Sequence, residues 1–155
     1  MNESRRKILK SGAGLGLLSA LMAVGMISPQ QAEAAVGRGA FDAKTLDEAY
    51  KAIGVAAPMV SDQVLINASD IAENGAVVPI GIKSNLPKTE LVALLIERNP
   101  NPLSSSYTMS DMAIPDLTMR VKMGQTSNVI ALVKADGKFY TASKEIKITL
   151  GGCGG

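Results

Sequence analysis

The sequence predicts an all-β protein, an immunoglobulin-like antiparallel β-sandwich preceded by one short helix and followed by a flexible tail. Three observations carry this expectation. After Pro58 the chain breaks into six short apolar segments, turn residues separate them, and two of the segments alternate strictly between apolar and polar side chains.

Residues 1–34 read as an export signal. Arg5 and Arg6 lie in "SRRKILK" (Ser4–Lys10), ahead of the run "SGAGLGLLSALMAVGMIS" and the small-x-small site "AEA" (Ala32–Ala34). Gly12, Gly14, Gly16 and Gly25 make the run less apolar than a spanning helix, which suits removal better than anchoring. A single N-terminal membrane helix is the competing reading. The run holds no cysteine, so a lipid anchor at its end is not expected. "SRRKILK" resembles the twin-arginine translocation motif, which implies export of an already folded protein, with room for a bound partner to travel along.

Cleavage after Ala34 leaves 121 of the 155 residues. Arg5, Arg6, Lys7, Lys10, Glu3 and Glu33 depart with the signal, leaving twelve basic and twelve acidic residues. A balanced mature chain gives no reason to expect nucleic acid or an acidic membrane as partner.

Residues 35–60 carry the helix. Thr45 and Glu48 have capping-box spacing, Leu46, Ala49, Tyr50 and Ile53 recur at helical intervals, and Gly54 is placed to end the helix.

Residues 61–150 carry the strands "QVLINA", "AVVPIGIK", "ELVALLIE", "LTMRVKM", "SNVIALVK" and "KFYTASKEIKITL", divided by "ENG", "SNLPK", "NPNP", "GQTS" and "DG". Met119, Val121 and Met123 alternate with Arg120 and Lys122, as expected of a strand buried on one face. Asp136-Gly137 predicts a tight hairpin, because both residues tolerate positive φ. Pro79 predicts an edge strand or a bulge, since proline cannot donate to a ladder. "ELVALLIE" fits a helix on pattern alone; its length and the flanking Pro87 and Pro100 favour a strand. Aromatics make up 3% of the chain and tryptophan is absent, so Val, Ile, Leu and Met must fill the core. Met109, Met112, Met119 and Met123 therefore read as core packing, not as a soft-metal site.

The composition excludes much chemistry. With no histidine there is no Ser-His or Cys-His pair, no histidine-ligated zinc and no histidine acid-base catalysis. One cysteine cannot hold zinc or an iron-sulfur cluster within one chain, nor form an internal disulfide. No phosphate-cradling or dinucleotide-binding glycine motif accompanies a strand. Asp47-Glu48, the only adjacent carboxylates, fit a solvated first helical turn. No catalytic residue, metal site or resident cofactor is expected, and what chemistry there is falls on Cys153.

That cysteine lies in the tail 151–155, "GGCGG". Gly151, Gly152, Gly154 and Gly155 provide no packing side chain and give the backbone maximal freedom. Extended at about 3.3 Å per residue, the tail carries Cys153 roughly 10 Å beyond Leu150. Such an arm is slim enough for its thiol to enter a narrow channel in another protein. With no neighbouring cation, roughly a few per cent of the thiol would ionise near pH 7, so the receiving enzyme must activate it. Two other readings of the tail stay open. Its cysteine could serve only to cross-link chains of an exported binding domain, or Gly154-Gly155 could be a thiocarboxylate terminus, which needs an adenylation step not expected outside the cytoplasm.

The terminal "GGCGG" resembles the SoxY family, the sulfur-carrier subunits of the periplasmic sulfur-oxidising (Sox) system. "AENGAVVPI" (Ala72–Ile80), "ERNPNP" (Glu97–Pro102), "TMRVKMGQTSNVIALVKADGKFY" (Thr118–Tyr140) and "KITLGGCGG" are similar to that family as well. The resemblance implies a periplasmic immunoglobulin-like domain paired with a SoxZ-like β-sandwich subunit, with sulfur attached covalently to Cys153. It also implies transient contacts with a c-type haem enzyme that loads thiosulfate, a hydrolase that releases sulfate, and an enzyme that oxidises the remaining sulfane sulfur.

Overall fold

Thr45 opens the α-helix α1 (Leu46–Ile53) in the computed structural model, which describes residues 37–149 apart from Asp111. The expected export signal with Arg5 and Arg6, Leu150, and the tail Gly151–Gly155 with Cys153 lie outside the described residues. Thr45 is extended, and its hydroxyl accepts the Glu48 N–H at 3.2 Å. The Glu48 carboxylate in turn accepts the N–H of Lys44 at 2.8 Å, one residue ahead of the cap. Gly54 ends the helix at φ 85°, a left-handed conformation that glycine adopts without steric cost. A 3-10 segment, Gly37–Asp42, precedes the helix and buries Ala40.

Nine strands follow among the described residues: β1 (Met59–Val60), β2 (Val64–Asn67), β3 (Ile71–Ala72), β4 (Val78–Ser84), β5 (Thr89–Ile96), β6 (Leu103–Thr108), β7 (Asp116–Val121), β8 (Ser127–Ala135) and β9 (Lys138–Ile148). They form a large sheet ordered β1-β9-β8-β5-β6, with β3 also on β9, and a small sheet ordered β2-β4-β7. Counting β2, β4, β5, β6, β7, β8 and β9 as A to G puts A, B and E in one sheet and C, F and G in the other, the immunoglobulin arrangement. The fourth strand joins the C side. The main pairings are antiparallel; β1 and β3 add to β9 in parallel.

Side-chain alternation divides the interior into two layers. Val92, Leu94 and Ile96 of β5, with Val129, Ala131 and Val133 of β8, face the small sheet and meet Val78, Ile80 and Ile82 of β4. The intervening Ala93, Leu95, Ile130 and Leu132 face the other way, onto Ala49 and Leu46 of α1 and onto Ala40. A sheet covered on both faces needs strands that are apolar at successive positions, which is why "ELVALLIE" shows no period-two pattern. It is a strand, as its length and flanking prolines predict. β7 alternates as expected, with Leu117, Met119 and Val121 turned inward. Asp136 and Gly137, at φ 49° and 73°, form the two-residue hairpin between β8 and β9.

Two expectations are corrected, and three strands appear that the sequence did not announce. Pro79 marks neither an edge strand nor a bulge: its register with β7 is unbroken and β4 is the centre of the small sheet, but β2 pairs only with Gly81–Ser84, so at Pro79 the ladder runs to β7 alone. The proline is tolerated because no neighbour on the other side asks for its missing N–H. Met112 is not core; it is 95% exposed, on the loop between β6 and β7, where Ile114 is 80% exposed. Met109, Met119 and Met123 do pack in the core. The short strands β1, β3 and β6 carry no sequence signal of their own. β6, "LSSSYT", is polar and held by backbone pairing to β5, with Leu103 its one buried apolar anchor.

Candidate functional site: the root of the C-terminal arm

No sequence-predicted site residue falls among the described residues; what they do contain is the end of β9, the last strand before the tail that holds Cys153. β9 ends at Ile148, and three loops close around that end of the sandwich: Glu73–Val77 between β3 and β4, Glu97–Pro102 between β5 and β6, and Lys122–Thr126 between β7 and β8.

The strand end is tied on two sides. Lys147 N–H donates to the Asp70 carbonyl at 2.8 Å and Thr149 N–H to the Ala72 carbonyl at 3.1 Å, the ladder of β3. Ile148 N–H donates to Thr126 Oγ1 at 3.0 Å. The three loops are also tied to each other. Met123 N–H donates to the Gly75 carbonyl at 2.7 Å. Asn99 donates through Nδ2 to the Lys122 carbonyl at 2.8 Å and accepts from Gly124 N–H at 3.4 Å. Gln125 Nε2 reaches the Arg98 carbonyl at 3.3 Å, and Ser127 Oγ accepts the Arg98 N–H at 3.0 Å. Asn74 shapes its own turn, its side-chain oxygen taking the Ala76 N–H at 2.9 Å. The segments "AENGAVVPI", "ERNPNP", "KMGQTS" and "KIT", far apart in sequence, thus meet at the point where the chain leaves for Cys153.

Charge at this end is mixed. Lys144 holds Asp70 at 2.9 Å and also donates to the Ala68 carbonyl. The Lys144 hydrogen bond, with the charges of Lys144 and Lys147, pulls the Asp70 carboxyl below its ordinary value. Glu73, Glu97, Arg98 and Lys122 lie exposed around it.

Elsewhere the surface is shallow. A hollow of about 300 Å³ lies over Gly81 on the outer face of the small sheet, between Leu65, Lys83, Asp116 and Thr118; Lys83 and Asp116 form an exposed ion pair across it at 3.8 Å. Gly81 has no side chain to fill it. Among the described residues there is no group of three or more Asp, Glu, Cys or His poised for a metal, and no helix long and apolar enough to cross a membrane.

Sequence reasoning missed the contributions of Gly75, Asn99 and Thr126, which it read only as turn residues in "ENG", "NPNP" and "GQTS". Their signal was their position: each lies in or beside a stretch that carries the family resemblance.

Comparison with known proteins fits this geometry. A family model described as "Sulfur oxidation protein SoxY" matches residues 49–153, a span that runs from within α1 through every strand to Cys153. Among solved structures, the sulfur carrier protein SoxY from Chlorobium limicola f thiosulfatophilum matches with a TM-score of 0.63 at 32% identity, over 68% of this chain and 97% of that one. A superoxide reductase (neelaredoxin) from Ignicoccus hospitalis matches with a TM-score of 0.50 at 20% identity, over 68% of this chain and 93% of that one, a likeness of fold alone. No curated protein matches.

Proposed function

Because the chain belongs to the SoxY family of sulfur oxidation proteins, we propose that it is a non-catalytic carrier that holds sulfur covalently on Cys153 and presents it to partner enzymes of a Sox system. The observation that carries this reading is the extent of the family match, which runs through residue 153, the only cysteine in the sequence.

The proposed cycle is simple in chemistry. The Cys153 thiolate couples with thiosulfate to form a Cys-S-S-sulfonate, and the two electrons released pass to a c-type haem enzyme. Water then attacks the terminal sulfonate sulfur in a hydrolase, releasing sulfate and two protons and leaving a persulfide anion on Cys153. A further enzyme oxidises or accepts that sulfane sulfur. The chain's own part is mechanical: the sandwich fixes the arm's origin, and glycines on both sides of Cys153 leave no Cβ to obstruct entry into a narrow site. With no histidine available as base, activation of the thiol falls to the enzyme that receives it.

In this reading the protein works in the periplasm, exported by the signal with Arg5 and Arg6, and pairs with a SoxZ-like β-sandwich subunit. A system reconstituted with Cys153→Ser should lose thiosulfate-dependent sulfate release while the variant keeps the thermal midpoint of the parent. Sulfate release at the parent rate would overturn the proposal.

A further inference from the structure

Gly75 is where the loop before β4 lies directly on the backbone of the loop after β7. A Cβ there would overlap the carbonyl oxygen of Met123 and stand 3.1 Å from Cγ2 of Ile148. Its φ lies outside the left-handed region, so space, not backbone conformation, demands glycine. On the other side of the same strand end, Thr126 Oγ1 takes the Ile148 N–H.

We propose that Gly75 and Thr126 form a clamp that sets the residue at which the carrier arm begins, and so act as positioning residues for delivery of Cys153. The inference rests on the carrier reading above and adds to it a determinant of reach. From Thr149 to Cys153 the chain spans four residues, or about 13 Å when extended. Freeing Lys147, Ile148 and Thr149 would lengthen the tether to seven residues and add about 10 Å. Effective concentration at a fixed target falls roughly as the −3/2 power of tether length, so length alone dilutes the thiol about two- to threefold.

Closeness is what couples the two sides of the clamp. The Gly75 carbonyl accepts the N–H of Met123, a core residue, and the loop it anchors carries Thr126. A methyl at residue 75 must push the two loops apart and press on Ile148, where β9 hands over to the arm. Removing the Thr126 hydroxyl leaves the Ile148 N–H without its acceptor, so the strand end frays from that side and takes the neighbouring β3 pairings of Lys147 and Thr149 with it.

The test uses the mature chain with Gly75→Ala, Thr126→Val and Thr126→Ser, read by amide hydrogen exchange. Exchange at Ile148 and Thr149 should quicken roughly five- to tenfold in the first two and stay at the parent rate in Thr126→Ser, which keeps the acceptor; amides of Lys138–Tyr140 at the far end of β9 should not change. In reconstituted thiosulfate-dependent sulfate release, the carrier concentration giving half-maximal rate should rise about two- to threefold for Gly75→Ala and Thr126→Val, with the maximal rate kept. Parent-like exchange at Ile148 and Thr149 in Thr126→Val would overturn the clamp, and that variant decides if Gly75→Ala fails to fold. A parent protein that never loads sulfur would sink the carrier reading instead, while the exchange data would still judge the clamp.

Discussion

Lys144 reaches from β9 to the segment leaving β2, where its ammonium meets both Asp70 and the Ala68 carbonyl. The Asp70 carboxyl is held below its ordinary value by that hydrogen bond first and by the charges of Lys144 and Lys147 after it. Glu90 is lowered likewise, chiefly by the N–H of Gly137 and then by Lys134. A carboxylate whose folded pKa is depressed stabilises the fold above its unfolded pKa and loses that contribution as pH falls through the folded value. Both groups are exposed, so the effect is small. Asp70→Asn should therefore show a slightly smaller fall in urea midpoint between pH 6 and pH 3 than the parent; equal falls would show that the contact carries no net stability. At this scale the sequence was legible wherever one residue's backbone preference decides the structure: Thr45 as cap, Gly54 as stop, Asp136-Gly137 as hairpin. It was illegible for Gly75, whose role depends on a carbonyl 48 positions away, and for Met112, whose apolar side chain sits on a loop that no core covers.

The central elements β5 and β8 are buried on both faces, and this distinguishes the domain from a two-layer sandwich with an open outer surface. Leu94 faces the small sheet and Leu95 faces α1, and both are fully buried. Leu95→Ala should cost about 2–5 kcal/mol in urea unfolding, the same range as Leu94→Ala. A cost near zero at Leu95 would mean that α1 does not cover the sheet in solution. The same double burial explains why "ELVALLIE" was ambiguous between helix and strand: periodicity disappears when both faces are covered, and only length and flanking prolines remain to decide. β6 lay beyond reach for the opposite reason, its serines being ordered by an existing edge of β5 and not by any pattern of their own. Pro79 was misjudged because pairing varies along a strand: β4 is central over Gly81–Ser84 and one-sided at Pro79.

For the whole molecule, one end of the sandwich gathers the chain's distinctive segments. Loops from "AENGAVVPI", "ERNPNP" and "KMGQTS" converge on the last residues of β9, while the exposed Met112 and Ile114 lie in the loop between β6 and β7, beside the start of β7. Composition singles out the tail as the candidate site, one cysteine among four glycines in a chain without histidine. It does not single out the end of β9, since the convergence of three loops there follows from strand order, which no local pattern encodes. The central claim is that Cys153 carries sulfur, and the intact mass of the mature protein from its exporting compartment, taken before and after a thiol reductant, tests it most directly. The account predicts added sulfur and sulfonate-bearing sulfur that reductant removes and that map to the C-terminal peptide. A single species at the plain chain mass, or a disulfide-linked dimer alone, would contradict it.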